Sequence, residues 1–245
     1  MHGNAGMNPC VSPLFPAVSP VPGDTFSVER QLFSHGAGLV AGLDEAGRGP
    51  LAGPVVAACV ILPRNCDYRV FRDSKQLTAH QRDQLFTLLQ GNSAMTGVGI
   101  ASPREIEAIN ILQASLLAMR RALADCIAAN DGQKPDVLLV DGKIQVPVAM
   151  QQLTLIKGES KSASIAAASI IAKVTRDRLM AKAHVRYPQY GFDCHQGYPT
   201  KAHRQAIAIH GPCPLHRRTF RGVAEFFTGP EQLPPAQPGL WCRTD

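Results

Sequence analysis

Hydrophobic positions along this chain change their period several times, and each change marks an element. Two short runs rich in Val, Ala, Leu and Ile, at 38–43 and 54–62, flank a glycine-rich stretch and read as the strands of a hairpin. Thr78 can cap a helix reaching about residue 89, and 95–101 alternates small and apolar residues as a third strand. Ser102-Pro103-Arg104-Glu105 places a hydroxyl at the N-cap, proline at N1 and glutamate at N3, so a helix starts there. Ile111, Leu112, Ser115, Leu116, Met119, Leu123 and Ile127 then recur at steps of three and four, the apolar face of a second helix ending near residue 129. Val137-Leu138-Leu139-Val140 is apolar throughout and bounded by Pro135 and Gly142, as in a central strand covered on both faces. The longest helix spans 162–186, with Ile165, Ser169, Ala172 and Arg176 on helical spacing and an alanine-rich face able to lie close on a sheet. A last helix covers 200–210.

The ends lack such patterns. Pro9, Pro13, Pro16, Pro20 and Pro22 make residues 1–34 a flexible extension by expectation, and Gly229, Pro230, Pro234, Pro235, Pro238 and Gly239 make 229–245 a second flexible tail. Between them, 35–228 forms one α/β domain with a small C-terminal helical part. Of the 245 residues 45% are hydrophobic, enough for a core, which excludes disorder throughout. Seven cysteines in so long a chain are read as reduced thiols rather than a disulfide framework. Lys and Arg number 25 against 19 Asp and Glu, and the resulting +6 favours a polyanionic partner such as nucleic acid. No apolar run approaches the ~18 residues of a membrane span, and the first residues lack a cationic region and apolar block. The expectation is a cytoplasmic monomer without membrane contact.

Chemistry concentrates at strand ends. Asp44-Glu45 closes an apolar strand and enters Gly47-Arg48-Gly49-Pro50, where glycines let a ligand approach the backbone; a solvated acidic turn is the plainer alternative. Asp141 directly follows the Val137–Val140 run, where α/β sheets present ligands and metals, although Asp141-Gly142 also suits a simple turn. Lys157-Gly158-Glu159-Ser160-Lys161-Ser162 sets an acid between lysines just before the longest helix, which alone reads as a helix cap. Taken together, Asp44, Glu45, Asp141 and Glu159 supply four hard oxygen donors in a basic surround. That composition suits two Mg²⁺ or Mn²⁺ ions acting on a phosphodiester, with Lys75 or Lys173 offsetting phosphate charge. Arg48 could hold a phosphate or brace the acidic turn. Asp177 lies one helical turn from Lys173 and is read as its ion-pair partner.

Competing motifs fail on their spacing. Gly47-Arg48-Gly49 lacks the third glycine of a dinucleotide fingerprint. Ser160 and Leu155 occupy both glycine positions of a P-loop ending in Lys161-Ser162, and Gly158-Glu159-Ser160-Lys161-Ser162 is no nucleophile elbow. Cys213-x-x-His216 with Cys194-His195 lacks a Cys-x-x-Cys partner and is read as structural rather than as a zinc site.

One long stretch narrows the field. Residues 42–54, Gly-Leu-Asp-Glu-Ala-Gly-Arg-Gly-Pro-Leu-Ala-Gly-Pro, resemble the opening signature of ribonuclease HII. The resemblance continues in order through Asp73-Ser74-Lys75, Val140-Asp141-Gly142, the 165–177 helix and 191–200. It implies a ribonuclease H-like mixed sheet flanked by helices, and metal-dependent cleavage of RNA in RNA/DNA hybrids and 5′ to single ribonucleotides in duplex DNA. It implies that Asp44, Glu45 and Asp141 bind metal, that the backbone of Gly47, Arg48 and Gly49 reads the 2′-hydroxyl, and that Tyr198 packs at the ribonucleotide. Without it, Tyr198 would pass for a turn aromatic before Pro199. This chain departs from the family where Gly-Asp is usual: Gly158-Glu159 carries one more methylene, which makes altered metal preference an expectation. A hybrid-binding protein without turnover and a metal-dependent nuclease for all-DNA substrates are the alternatives.

Overall fold

The computed structural model describes residues 15–91 and 94–227. Its centre is a five-stranded sheet ordered β3-β2-β1-β4-β5. Strands β1 (Val40–Ala46), β2 (Val55–Ile61) and β3 (Met95–Ala101) form an antiparallel meander, while β4 (Val137–Asp141) and β5 (Gln151–Leu155) run parallel to β1. The helices are α1 (Ser27–Ser34), α2 (Ala79–Gly91), α3 (Pro103–Ala128), α4 (Ala163–Arg186), the short α5 (Phe192–His195) and α6 (Lys201–His210).

Strand alternation assigns the two faces. Val55, Ala57, Cys59 and Ile61 of β2 pack with Ala118, Ala122 and Cys126 of α3, whereas Ala58 and Val60 pack with Ala167 and Ile171 of α4. Successive side chains of a strand point to opposite faces, so α3 and α4 cover opposite sides of the sheet. Gly97 and Gly99 allow close contact on the first side: a Cβ on either would strike the α3 backbone. Gly42 does the same for β1 against the Ser164–Ile165 backbone at the start of α4.

The hairpin, the third strand, the central strand and the capped helices stand where their patterns put them. Thr78 caps α2 reciprocally, its Oγ1 accepting from the Gln81 N–H (3.2 Å) while Gln81 Oε1 accepts from the Thr78 N–H (2.9 Å). Two helical patterns around residue 110 correspond to one interrupted helix. Asn110 breaks α3 with φ 66° and ψ 167°, and its Oδ1 accepts from the N–H groups of Leu112 and Gln113 (3.0 and 3.1 Å), restarting the helix.

The N-terminal boundary needs correction. Residues 15–34 belong to the fold rather than to a flexible extension, because the prolines end at Pro22 and the proline-free α1, with Phe26 just before it, buries Phe26, Val28 and Leu32. Each such side chain gains roughly 1.5–3 kcal/mol on leaving water. Glu29 of α1, fully buried, accepts from Ser162 Oγ (2.6 Å) and the Ser164 N–H (3.1 Å), and so caps α4 from another part of the chain. Residues 1–14 and the 229–245 tail lie outside the described residues. Strand β5 is an addition: Gln151-Gln152-Leu153-Thr154-Leu155 is a polar edge strand with too few apolar positions to announce itself.

Candidate active site

The parallel pairing of β1 with β4 aligns Leu43 with Val140, so the next residues, Asp44 and Asp141, emerge side by side at the carboxyl ends of adjacent strands. Both lie on the α4 face, by alternation with Val40 and Leu139. Because Gly42 lets α4 sit directly on β1, the turn before α4, Gly158–Ser160, is drawn to the same place with Glu159 buried. Asp141 Oδ1 accepts from the Gly158 N–H (2.7 Å), and a side chain at 158 would collide with Ile165. Asp44 accepts from the Glu45 N–H (2.7 Å).

Four acids share one neighbourhood. Burial, followed by the charges of Glu45, Glu159 and Asp141, pushes the Asp44 carboxyl well above the usual carboxylate range. Burial also raises Glu45, against the opposing influence of Arg48, whose Nη1 stands 3.2 Å from Glu45 Oε1. Arg48 therefore braces the acidic turn. Glu159 uses its extra length to reach Lys75 Nζ (3.1 Å) and accepts a long bond from Ser74 Oγ (3.4 Å). At Lys75 burial opposes the charge, yet the hydrogen bond and charge of Glu159, with Asp73 and Asp44, raise the ammonium above its ordinary value. Among the described residues no three His, Cys, Asp or Glu side chains already form a metal-binding group, and Glu45 and Glu159 each pair with a cation. The donor chemistry nonetheless fits a hard divalent ion: buried carboxylates that repel one another gain most from a shared cation.

After Asp44 and Glu45 the chain enters the loop at 47–54. Gly47, at φ +98°, takes a backbone conformation that suits glycine, and a Cβ there would run into Arg176. Arg48 and Gly49 are exposed, and a Cβ on Gly49 would lie 3.8 Å from the Tyr198 ring. Tyr198 is 41% exposed and sits on a cationic floor, with Lys173 Nζ 6.0 Å and the Arg176 guanidinium 5.9 Å from its centroid. Lys173 also pairs with Asp177 (2.7 Å), the plain role read for that acid.

Sequence reading missed what supports this loop. Arg176 counted only as a helical position and Arg217 not at all, yet both are fully buried against loop carbonyls. Glu29 has no local signal either, because capping across the chain leaves no spacing, and Ser74, part of the resemblance only, has no role there although its Oγ donates to Glu159. The Cys213–His216 motif forms a chain of hydrogen bonds. His203 Nδ1 donates to the Tyr198 carbonyl (2.9 Å) and His216 Nε2 donates to His203 Nε2 (3.1 Å). His216 Nδ1 in turn accepts from the Cys213 N–H (2.9 Å). Burial pushes the Cys213 thiol up to about 12.

The family model for ribonuclease HII matches residues 41–223. The chain belongs to the ribonuclease HII family. It is a metal-dependent endoribonuclease, of the family acting on RNA/DNA hybrids. A curated ribonuclease HII of Desulfotalea psychrophila is 55% identical over 213 residues, 87% of this chain and 94% of the relative. Among solved structures, the ribonuclease H2 of Pyrococcus horikoshii aligns with TM-score 0.59 and 28% identity over 77% of this chain and 96% of that one. Bst-RNase HIII in complex with Mn²⁺ shares the fold, with TM-score 0.62 and 18% identity over 77% of this chain and 69% of that one. The ribonuclease H-like mixed sheet is thus common to all three.

Proposed function

We propose that this member of the ribonuclease HII family cuts the RNA strand of RNA/DNA hybrids and, in duplex DNA, the phosphodiester 5′ to a single ribonucleotide. Water adds to phosphorus, the upstream 3′-oxygen leaves as a hydroxyl, and the 5′-phosphate stays on the ribonucleotide. The observation that carries this reading is the closeness of the exposed Gly49 to Tyr198, where a Cβ on the glycine would lie 3.8 Å from the ring, directly after the buried Asp44 and the half-buried Glu45. A glycine backbone and an aromatic ring at one point suit the edge and face of a ribose, and the 2′-hydroxyl is what separates RNA from DNA there.

Asp44, Glu45, Asp141 and Glu159 would hold two divalent ions, Mg²⁺ or Mn²⁺. Such ions supply the charge stabilisation and water activation that phosphodiester hydrolysis needs. The protein's own part is positioning. The backbone of Gly47, Arg48 and Gly49 meets the ribose, Tyr198 packs on it, and Lys75 and Lys173 meet flanking phosphates. The overall +6 charge supports a polyanionic duplex as partner. No helix among the described residues is long and apolar enough to cross a membrane. A monomer working in the cytoplasm is part of the same proposal.

End-labelled duplex DNA with one ribonucleotide, incubated with Mg²⁺, Mn²⁺ or chelator beside an all-DNA control, tests the reading. Cleavage 5′ to the ribonucleotide is expected only with metal, and Asp141→Asn is expected to abolish it while sparing duplex binding. Binding without cutting in any ion would favour the non-catalytic alternative, and cutting of the all-DNA control the general nuclease.

A further inference from the structure

The loop that follows the acids rests on two buried guanidinium groups whose hydrogen bonds all go to main-chain carbonyls. Arg217 Nε donates to Gly53 (2.9 Å), Nη1 to Arg48 (2.9 Å), and Nη2 to Gly47 (2.5 Å) and Pro54 (3.2 Å). Arg176 adds Nε to Pro54 (3.0 Å) and Nη2 to Ala52 (3.2 Å) and Gln196 (3.0 Å), and its Nη1 has no partner among the described residues. Burying two such charges side by side is unfavourable. Burial lowers both groups, to about 9 for Arg217, where the charge of Arg176 adds to the effect, and to about 10 for Arg176. A fold that needed only to fill space here would place apolar residues.

Peptide geometry turns these bonds into a statement about the opposite edge of the loop. In a trans peptide the carbonyl and the following N–H point in opposite directions, and no cis peptide occurs among the described residues. Arg217 draws the Gly47 and Arg48 carbonyls inward, so the N–H groups of Arg48 and Gly49 face outward. Both residues are exposed, and neither N–H has a hydrogen-bond acceptor among the described residues. Farther along, the Leu51 and Gly53 N–H groups are tied to the Gly197 and Leu215 carbonyls (2.8 and 2.9 Å), and the rest of the loop is buried, so its exposed free donors, Arg48 and Gly49, lie at the end nearest Tyr198.

We propose that Arg217, backed by Arg176, is a positioning residue for sugar discrimination: it fixes the Arg48 and Gly49 N–H groups as a paired donor edge for the ribose hydroxyl at the cut site. The inference rests on the reading that this loop meets the ribose. A guanidinium suits the task because its planar fork reaches carbonyls in several directions at once. A lysine ammonium has three donors and no fork, and when buried it loses its charge more readily.

The test uses the full chain carrying Asp141→Asn, so that substrate stays intact, with and without Arg217→Lys or Arg217→Gln. Dissociation constants are measured for a duplex with one ribonucleotide and for its all-DNA match. Both Arg217 variants are expected to reduce the ratio of the two constants about tenfold while changing the all-DNA constant less than about threefold. A ratio kept within twofold, or equal weakening on both duplexes, overturns the proposal and leaves a merely structural arginine. If the variants do not fold, amide exchange in the Asp141→Asn protein decides. The Arg48 and Gly49 amides are expected to gain protection with the ribonucleotide duplex and not with all-DNA duplex, and equal or absent protection overturns the proposal. The functional reading fails separately, if the unmutated chain does not cut at the ribonucleotide at all.

Discussion

Asp44 and Asp141 stand one step beyond Leu43 and Val140, the last paired residues of two neighbouring parallel strands. The sheet thus brings two acids together whose mutual repulsion, with that of Glu45 and Glu159, the fold must bear. A carboxyl raised in the folded state adds stability at low pH and loses it as pH rises through the raised value. Asp44→Asn is therefore expected to raise the metal-free melting temperature at pH 7 by roughly 2–4 °C, as for a gain of about 1 kcal/mol. The gain should shrink as pH falls toward 4. Melting curves in chelator check this, and a lower melting temperature at pH 7 would contradict it.

Glu159 is shared between the acid cluster and Lys75, whose side chain is 80% exposed. An ion pair of that kind is worth only about 0.2–1 kcal/mol. Glu159→Asp is too short to keep the pair, so the carboxylate no longer has to leave Lys75 before meeting an ion. The metal concentration for half-maximal cleavage is expected to fall about two- to fivefold. A rise of the same size, read in Mg²⁺ and Mn²⁺ titrations, would mean that the longer acid is itself the better ligand.

On the proposed reading the Tyr198 ring packs on the ribose and its hydroxyl has no part in the reaction. Tyr198→Phe is expected to keep kcat/KM on single-ribonucleotide duplex within about threefold, whereas Tyr198→Ala should lower it about 10- to 100-fold, the range of one lost stacking contact. Single-turnover cleavage of both variants separates ring from hydroxyl.

The His203–His216 pair supplies an acid-sensitive support for Tyr198. Burial lowers His203 to about 4 and His216 to about 3, in His216 with help from the charge of His203. Both lie below the ordinary imidazole value near 6.5. The unfolded chain then binds protons that the folded chain refuses, so stability present above about pH 6.5 is lost as pH falls toward 3–4. His216→Asn, which keeps an acceptor for the Cys213 N–H, is expected to flatten the fall in melting temperature between pH 7 and 5. An unchanged slope would remove the pair from the acid response.

Strand-end acids are legible in a sequence because an apolar run followed by a carboxylate is a local pattern, and Asp44 and Asp141 both have it. Helix caps at Thr78, Ser102 and Ser162 are local too, and the structure keeps all three. What escaped depends on contact between distant residues. Glu29 caps a helix that begins more than a hundred residues later, and Arg217 reaches back to Gly47 across most of the domain. A buried arginine bonded to carbonyls follows no periodicity, and charge alone suggests an exposed side chain. Helix α1 was hidden for the opposite reason: the prolines before it set a composition that its own eight residues do not share.

Gly47 marks a change of electrical sign within a few residues of chain. On its N-terminal side Asp44 is buried among other carboxylates, and on its C-terminal side the backbone lies on two buried guanidinium groups. A scissile nucleotide lying across this boundary would have its sugar over the positive ground and its phosphate toward the negative one, where only cations make it welcome. The field there is established when the protein folds, before any substrate arrives, and on the proposed reading a duplex shifted by one nucleotide would meet the wrong sign.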